Sequence, residues 1–532
     1  MVTKATFPTP NYQGDPFEYN RIIYSLEETV MKKIATWGPR ILLSLAMIAL
    51  LYLLARAVWL YLDYMRILIA FPFNADYGEG PILDQVMRLS RGESIYPVDI
   101  SQSPFIIGNY PPLYHLLQLP FAWIFGPAFW YGRTINLICI LASAYFIGAS
   151  LYFVTKNQFA SILSAALLPT IPFILHWSGF VRIDSLALAL SWAALFVIIT
   201  RREHRRALVL TAVLLTLAIF TRQSYGLAAP FAAFIWLLSH KPRRRAFELA
   251  LWTGGFSLAI FLLLNLITRG GFFFNIVTAN VNPFFWDSVE DYLDKIWKNM
   301  GLLVVLSAAY LVLAGWFKQK VWWVVAPYLV ASTLSAVTIG KDGSNVNYLY
   351  EFSAALAFTA GAFLAWLGPF IQEKRIVTRL WGLKLALLVA MALQVNEVYH
   401  WCKNDYLWPT DRAQFEYAEI AEMASLVAAS DLPVLADEFM GLLPISGKPL
   451  VFQPFEYKQL AAGEIWDQTP FIDAVYQKQY GLILLNDSPF WDSQGNRWTP
   501  QQLAAIRGNY KQVDRLADTI IYVPSEPLDF AP

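Results

Sequence analysis

The sequence predicts a mainly α-helical, polytopic membrane protein of about eleven transmembrane helices, followed by a small C-terminal α/β domain. Apolar residues make up 57% of the 532-residue chain and charged residues only 15%, whereas about 25% of the residues of a soluble protein are charged. The mean hydropathy of +0.43 and the 16% aromatic content fit a chain with Trp and Tyr at bilayer surfaces. The net charge of +1 gives no overall basic field, so we expect membrane lipids and no nucleic acid as partners.

Apolar stretches that can cross about 30 Å of hydrocarbon define the expected helices. The first, at 41–62, follows an amino-terminal segment (1–38) that has charges and prolines but no signal-peptide pattern, so we expect it to remain as an anchor. A transmembrane domain is therefore predicted at 39–398. Its other apolar stretches lie at 128–154, 157–175, 184–200, 207–221, 225–239, 246–267, 300–317, 321–339, 351–371 and 380–398.

The positions of lysine and arginine predict the orientation of these helices. Basic residues cluster in short loops at 201–206, 241–245, 318–320 and 374–379. In an eleven-helix arrangement these loops share one side with Lys32 and Lys33 of the amino-terminal segment, and positively charged loops face the cytoplasm. We therefore expect an integral protein of a bacterial plasma (inner) membrane. Its external face receives the segments 63–127, 176–183, 268–299, 340–350 and 399–532.

The tail from residue 399 has a different composition from the rest of the chain. It contains 18 acidic and 9 basic residues. Short β-rich runs at 434–435, 450–452, 482–485 and 519–523 alternate with helical patterns at 415–429 and 500–509. The sequence therefore predicts an extracytoplasmic α/β domain at 399–532.

The first external loop, 63–127, carries three carboxylates just after a membrane helix: Asp76, Glu79 and Asp84. A carboxylate in a partly dry cleft has a raised pKa and can accept a proton from a hydroxyl group. The same residues could instead cap helices or hold a divalent cation. A metal is thus an open option, and no cofactor is established by the sequence.

Two further groups of polar residues flank predicted helices on the external face. A Pro-Pro pair at 111–112 predicts a helix start, which places Tyr110 and His115 near the rim of a cleft. Arg182 and Asp184 are costly near hydrocarbon unless they are paired or face a cavity. They could pair with each other for helix packing, or Arg182 could bind a phosphate in a bidentate manner.

Three other positions are candidates for phosphate binding. Arg222 lies between two apolar stretches and either snorkels to the membrane surface or enters a site. The polar segment 340–351 contains Lys341, Asn345 and Asn347, whose side chains together with glycine amides could hold a phosphate. An ordinary turn is the alternative for this segment.

These motifs, in this order, resemble the GT-C superfamily of membrane glycosyltransferases, particularly the branch of protein O-mannosyltransferases and the lipid A aminoarabinose transferase. The resemblance covers about 1–370 and includes the acidic loop, the PPL element at 111–113 and the GRTINL run at 132–137. It implies transfer of a sugar from a polyprenyl-phosphate donor to an acceptor hydroxyl on the extracytoplasmic face, with inversion. It also implies Asp76 as the catalytic base, with Glu79 as its neighbour or substitute.

The sequence leaves the acceptor open as a glycan, a lipid or a protein. Aminoarabinose transferases have Lys before the Pro-Pro pair where this chain has Tyr110, which puts a lipid A phosphate acceptor in doubt. A secondary transporter is the main alternative function, although no internal repeat is found and the acids gather in external loops rather than at the midplane. A non-catalytic membrane scaffold with an external binding domain is the other.

Overall fold

The computed structural model describes residues 16–280, 282–317, 319–373 and 377–525. The predicted basic loops at 318–320 and 374–379 therefore lie partly outside the described residues. Residues 1–15 of the predicted amino-terminal segment and residues 526–532 of the tail lie wholly outside them. The helices of the first four hundred residues are α1 (Pro16–Ala70), α2 (Glu79–Ser90), α3 (Leu113–Phe125), α4 (Trp130–Thr155), α5 (Gln158–Leu167), α6 (Pro172–Trp177), α7 (Asp184–Arg201), α8 (Arg205–Ile219), α9 (Ala228–Leu238), α10 (Arg244–Ile267), α11 (Gly271–Phe273), α12 (Trp286–Trp316), α13 (Trp322–Ala336), α14 (Tyr350–Glu373) and α15 (Val377–Trp401).

Within the described chain, eight helical spans are long and apolar enough to cross a membrane: Trp37–Ala70, Trp130–Thr155, Asp184–Arg201, Arg244–Ile267, Trp286–Trp316, Trp322–Gly340, Val346–Leu367 and Trp381–Tyr406. Shorter apolar helices lie at Leu113–Phe125, Gln158–Thr170 and Gln223–Leu238. The predicted polytopic helical fold is confirmed, and the number of eleven spans stays a prediction. The first span ends at Ala70 rather than at 62, so the external loop begins closer to the acidic residues than predicted.

Helix α14 forms the centre of the membrane part. Every residue from 349 to 365 is buried. A Cβ atom at Gly361 would lie 2.8 Å from the Ala160 carbonyl oxygen, and the Ser164 hydroxyl donates to the Ala357 carbonyl at 2.7 Å. Small residues at these positions allow α5 to approach α14 closely, as is usual between helices in lipid.

Two of the basic loops meet at one end of the helical bundle. Helix α7 begins at Asp184 and ends at Arg201, a length of about 27 Å at 1.5 Å per residue. The Arg245 guanidinium donates to the carbonyl of Arg202 and, at 2.7 Å, to that of Glu203. The basic loops at 201–206 and 241–245 are therefore in contact, at the end of α7 opposite to Asp184.

The C-terminal segment, residues 402–525, contains a small four-stranded sheet. Its strands lie in the order β1-β2-β4-β3; β1 and β2 are parallel, and the other pairs are antiparallel. The strands are β1 (Val434–Ala436), β2 (Leu482–Asn486), β3 (Tyr510–Leu516) and β4 (Thr519–Pro524). The helices are α16 (Trp408–Phe415), α17 (Tyr417–Ala429), α18 (Leu442–Ile445), α19 (Pro454–Ala462), α20 (Thr469–Tyr476), α21 (Ser493–Arg497) and α22 (Pro500–Asn509).

The sheet differs from the prediction at two positions. The run at 450–452 is not a strand of the sheet, because Phe452 instead forms a single parallel bridge with Phe105 of the first external loop. Strand β3 was not predicted, since its central residues are exposed and, apart from Val513, polar, so that it lacks an apolar face. The helical patterns at 415–429 and 500–509 occur as α17 and α22.

The first external loop inserts into the core of the C-terminal segment. The Phe105 ring packs against Phe452, Trp466 and Phe471 with centroid distances of 6.1, 5.3 and 6.0 Å. On the backbone, the Phe105 amide donates to the Val451 carbonyl at 2.8 Å. Aromatic contacts of this kind add to the apolar area that they bury, so the loop and the C-terminal segment hold each other in place.

Candidate active site

Asp76 lies in the short connection between the end of α1 and the start of α2. Its Oδ2 atom accepts the Gly78 amide at 3.0 Å and pairs with the Arg182 guanidinium. The Asp76 side chain retains 14% of its exposure. The predicted base therefore lies within the protein next to the Ala70 end of α1, and its side chain is partly exposed.

Burial raises the pKa of Asp76 above its ordinary value, although the neighbouring Arg182 acts in the opposite direction. Glu438 and Glu79 add a smaller repulsion that also raises it. A carboxylate with a raised pKa is a stronger proton acceptor than an exposed aspartate, and the arginine favours its ionised form.

Arg182 is positioned by aromatic rings and by a glycine. Its guanidinium carbon lies 4.9 Å from the centroid of the Trp177 ring and 5.7 Å from that of Tyr77. A Cβ atom at Gly78 would collide with the guanidinium. Among the described residues, the buried Nε atom of Arg182 has no hydrogen-bond partner. Arg182 thus keeps one donor available beside the Asp76 carboxylate.

Glu79 is fully buried and fully paired. Its two oxygens accept from Arg133 Nε at 3.0 Å and Nη2 at 2.8 Å. They also accept the Ala75 amide at 2.6 Å and the Val181 amide at 2.7 Å. A carboxylate has about four acceptor positions, so Glu79 has none left for a substrate proton. The geometry favours a positioning role for Glu79 over the predicted role as a substitute base.

Asp84 connects α2 to the C-terminal segment. It accepts from Arg88 Nε at 2.6 Å and from the Leu450 amide at 3.0 Å, and Arg88 in turn donates to the Leu450 carbonyl at 2.8 Å. The geometry thus favours a structural role for Asp84.

The three acids of the first external loop do not form a metal site. Asp76, Glu79 and Asp84 each pair with a different arginine. Across the part of the chain that the structure describes, no group of three or more His, Cys, Asp or Glu side chains is arranged to hold a metal ion. The option that these three carboxylates share a divalent cation is therefore not supported, because their oxygens are turned toward separate partners.

Asp184, Arg222 and Asn347 form a second buried cluster. Asp184 pairs with the Arg222 guanidinium and accepts from the Asn347 amide at 3.3 Å. Trp177 Nε1 donates to Asp184 at 3.1 Å, so this ring connects the cluster to Arg182. The alternative of an Arg182–Asp184 pair is wrong, since each residue pairs elsewhere. Arg222 does not snorkel to the membrane surface, because Asp184 neutralises it inside the protein.

The remaining predicted site residues lie in different environments. Tyr110 borders the same small cavity as Arg182, whereas His115 is completely buried on α3. Lys341 Nζ donates to the Asn280 carbonyl at 3.5 Å, and Asn345 is exposed and accepts the Val346 amide at 2.7 Å. The hypothesis that Lys341 and Arg182 share one phosphate stays a prediction.

The C-terminal segment contributes residues that the sequence analysis did not identify. Arg412 donates to Glu438 at 2.7 Å and to the Ala75 carbonyl at 3.0 Å, and Arg497 donates to Glu438 at 2.6 Å. Burial would raise the pKa of Glu438, but Arg497 and Arg412 lower it to about 2. The only signal in the sequence is the acidic pair at 437–438 directly after a predicted strand, and it gives no indication of the partners.

A family model described as dolichyl-phosphate-mannose-protein mannosyltransferase matches residues 109–267. The match includes Arg182, Asp184 and Arg222 and begins after Asp76. No curated protein sequence matches the chain at a significant level.

Solved structures match over most of the chain. ArnT from Cupriavidus metallidurans, bound to undecaprenyl phosphate, has a TM-score of 0.60 and 13% identity over 88% of this chain and 97% of its own. The apo oligosaccharyltransferase of Archaeoglobus fulgidus has a TM-score of 0.53 and 10% identity over 90% and 75%. The arabinofuranosyltransferase AftD from Mycobacteria has a TM-score of 0.50 and 16% identity over 89% and 40%.

The chain has the GT-C fold. The resemblance predicted from the sequence is thereby confirmed, together with the mainly helical membrane architecture and the small C-terminal sheet. In this GT-C chain, Asp76 is the member of the acidic trio whose carboxylate is both partly exposed and next to an arginine with a spare donor.

The Glu79–Arg133 pair should be essential for the stability of this GT-C chain. Changing Arg133 to Met leaves the buried Glu79 carboxylate without its partner, and we expect a loss of about 3–5 kcal/mol in the free energy of unfolding. Unfolding of the purified protein by SDS titration measures this loss. Asp63→Asn is the matched control, because it breaks an exposed Asp63–Arg66 pair and should change little. Equal stability of the two variants would contradict the prediction.

Proposed function

We propose that this protein is a membrane glycosyltransferase that moves a sugar from a polyprenyl-phosphate donor to an acceptor hydroxyl, with Asp76 as the base. The observation that carries the proposal is the Asp76–Arg182 pair, in which a carboxylate and a cation lie side by side at one end of a membrane domain with the GT-C fold. ArnT, a structural neighbour, is bound to undecaprenyl phosphate. The acceptor can be a glycan, a lipid or a protein.

The reaction is a single displacement. The acceptor oxygen forms a bond to the anomeric carbon while the bond from that carbon to the phosphate oxygen breaks, and the bonding pair leaves with the phosphate. The hydroxyl proton goes to Asp76. Because attack and departure occur on opposite sides of the carbon, the configuration inverts. Arg182 stabilises the negative charge that develops on the leaving phosphate.

The donor's hydrocarbon chain has a matching site in the membrane part. Helices α12, α13 and α14 line an open cavity of ≈640 Å³ with mainly apolar walls. Ile339 and Leu349 belong to this lining, and they flank the segment that carries Lys341 and Asn347. We assign this cavity to the isoprenoid chain, with its phosphate near that polar segment.

The contact between the two basic loops also supports one orientation of the protein in the membrane. These loops lie at one end of α7 and the Asp76 site lies at the other. Since basic loops face the cytoplasm, we place the site and the C-terminal segment outside the cytoplasm, in the plasma membrane of a bacterium.

Replacement of Asp76 by Asn should lower turnover by about 10²–10⁴-fold, because the amide keeps the shape but cannot take the proton. The assay follows release of undecaprenyl phosphate from a panel of undecaprenyl-phosphate sugars, with a membrane extract as the source of acceptor. Since burial raises the pKa of Asp76, the wild-type rate should fall as the pH drops through that raised pKa. The matched control is Asp99→Asn, an exposed position in the same loop. Unchanged turnover in a folded Asp76→Asn variant would contradict the assignment of Asp76 as the base, whereas a wild-type protein without turnover on any donor of the panel would favour the scaffold alternative.

Filling the apolar cavity should weaken binding of long-chain donors. In Ala308→Trp a large ring enters the cavity lining, and we expect the KM for an undecaprenyl donor to rise about tenfold while the KM for a short-chain analogue changes little. Val312→Trp is the control, since Val312 is 69% exposed on the same helix and lies outside the cavity lining. An equal effect of Ala308→Trp on both donors would place the chain elsewhere.

Cysteine labelling tests the orientation. In intact cells, a membrane-impermeant maleimide should label Gly508→Cys, which is exposed in the C-terminal segment, and should label Glu203→Cys only after permeabilisation. Both native cysteines, Cys139 and Cys402, are buried and give little background. The reverse pattern would place the site on the cytoplasmic face.

A further inference from the structure

A small polar cavity is lined by Arg182, the ion-pair partner of Asp76, and by residues of the C-terminal segment. Tyr77, Gly78 and Arg182 line one side, and Glu456, in the first turn of α19, lines the other. The cavity measures ≈40 Å³, which is enough for a group of the size of a hydroxyl. It is far smaller than the roughly 300 Å³ at which ligand pockets begin.

The Glu456 carboxylate is incompletely paired. Its Oε1 atom accepts from Asn109 Nδ2 at 3.4 Å. Its Oε2 atom is buried and has no hydrogen-bond partner among the described residues. A buried polar atom that lacks a partner destabilises the folded protein. Burial also raises the pKa of Glu456, against the opposing effects of its own backbone N–H and of Arg182 and Arg497. An added donor beside Oε2 would remove this destabilisation.

Helix capping does not account for Glu456. A glutamate at the third position of a helix commonly accepts the backbone N–H of the N-cap residue. Here the N-cap residue is Gln453, and its N–H donates to the Phe105 carbonyl at 3.1 Å. No side-chain cap forms at this helix start. Glu456 is therefore available to a ligand in the cavity.

We propose that Glu456 accepts a hydrogen bond from a hydroxyl group of the sugar that occupies the site beside Asp76. This inference rests on the proposed glycosyltransferase function. The C-terminal segment then supplies a substrate-binding carboxylate to a reaction whose base and cation come from the membrane domain. A whole sugar exceeds the cavity, so only the hydroxyl group that Glu456 binds enters it.

The test uses the full-length protein and the same undecaprenyl-phosphate sugar panel. For the donor that the wild type uses, Glu456→Gln should raise KM about tenfold to a hundredfold, as expected for loss of a hydrogen bond to a charged group, with kcat within about threefold. Glu456→Asp keeps the charge and should show a smaller effect. Glu464→Gln, an exposed position just after α19, should match the wild type. An unchanged KM in a folded Glu456→Gln variant would overturn the inference.

Deoxy-sugar donors give a second measurement that does not depend on how well the variant folds. With wild-type protein, one deoxy position should raise KM by the same factor, and Glu456→Gln should add nothing further with that donor. If no deoxy position raises KM while the parent donor is used, Glu456 binds no sugar hydroxyl and the glycosyltransferase proposal still stands. If the wild type releases undecaprenyl phosphate from no donor in the panel, the proposed function itself fails and this inference with it.

Discussion

The buried ion pair between Glu79 and Arg133 is the interaction on which the site geometry depends. Glu79 accepts the amides of Ala75 and Val181, which directly precede Asp76 and Arg182 in the chain. One carboxylate therefore fixes both members of the Asp76–Arg182 pair, although they are 106 positions apart. Arg133 completes the arrangement, because it donates to the Phe71 carbonyl at 2.7 Å and so holds the end of α1. A pair this deeply buried is strongly destabilising when one partner is removed, so the site and the fold share this interaction.

The C-terminal segment also fixes the connection between α1 and α2, which carries Asp76, by hydrogen bonds and close packing. Asn74 donates to the Glu438 carbonyl at 2.9 Å, and Arg412 donates to the Ala75 carbonyl at 3.0 Å. A Cβ atom at Gly80 would lie 2.5 Å from the Gly441 amide nitrogen. The backbone around Asp76 is thus enclosed by the membrane helices below and the C-terminal segment above. Motion of that segment consequently reaches the proposed base directly, without a long chain of intermediate contacts.

The sequence predicts the parts of this protein that follow from local patterns. Apolar length predicts the membrane helices, and short β-rich runs predict β2 and β4, because buried segments are apolar over their length. The three acids of the first external loop can also be identified from the sequence, because charged residues beside an apolar span are unusual. The sequence does not show which role each of the three acids has. In the linear sequence Asp76, Glu79 and Asp84 are three equivalent carboxylates. They differ in the folded protein, because each of them pairs with a different arginine.

Ion pairs between residues that are distant in the chain are likewise not predictable from the sequence. Arg182 and Asp184 look like a local pair, yet they are oriented toward Asp76 and Arg222 respectively. Glu456 belongs to no recognisable sequence motif, because it lies in a short helix of the tail and its role follows only from the cavity that it lines. Long-range pairing and enclosed space are properties of the folded chain, and one sequence does not specify them.

The pairing of Asp76 with Arg182 determines how the charge of the site changes during the proposed reaction. Before the reaction the two charges neutralise each other, so the site carries no strong net field from this pair. When Asp76 takes the acceptor proton, Arg182 loses its counterion at the moment when negative charge develops on the leaving phosphate. In a buried site an uncompensated charge is costly, so the arginine favours the departing anion most strongly at that stage. Stabilisation that appears with the transition state, rather than with the bound substrate, is the kind that accelerates a reaction.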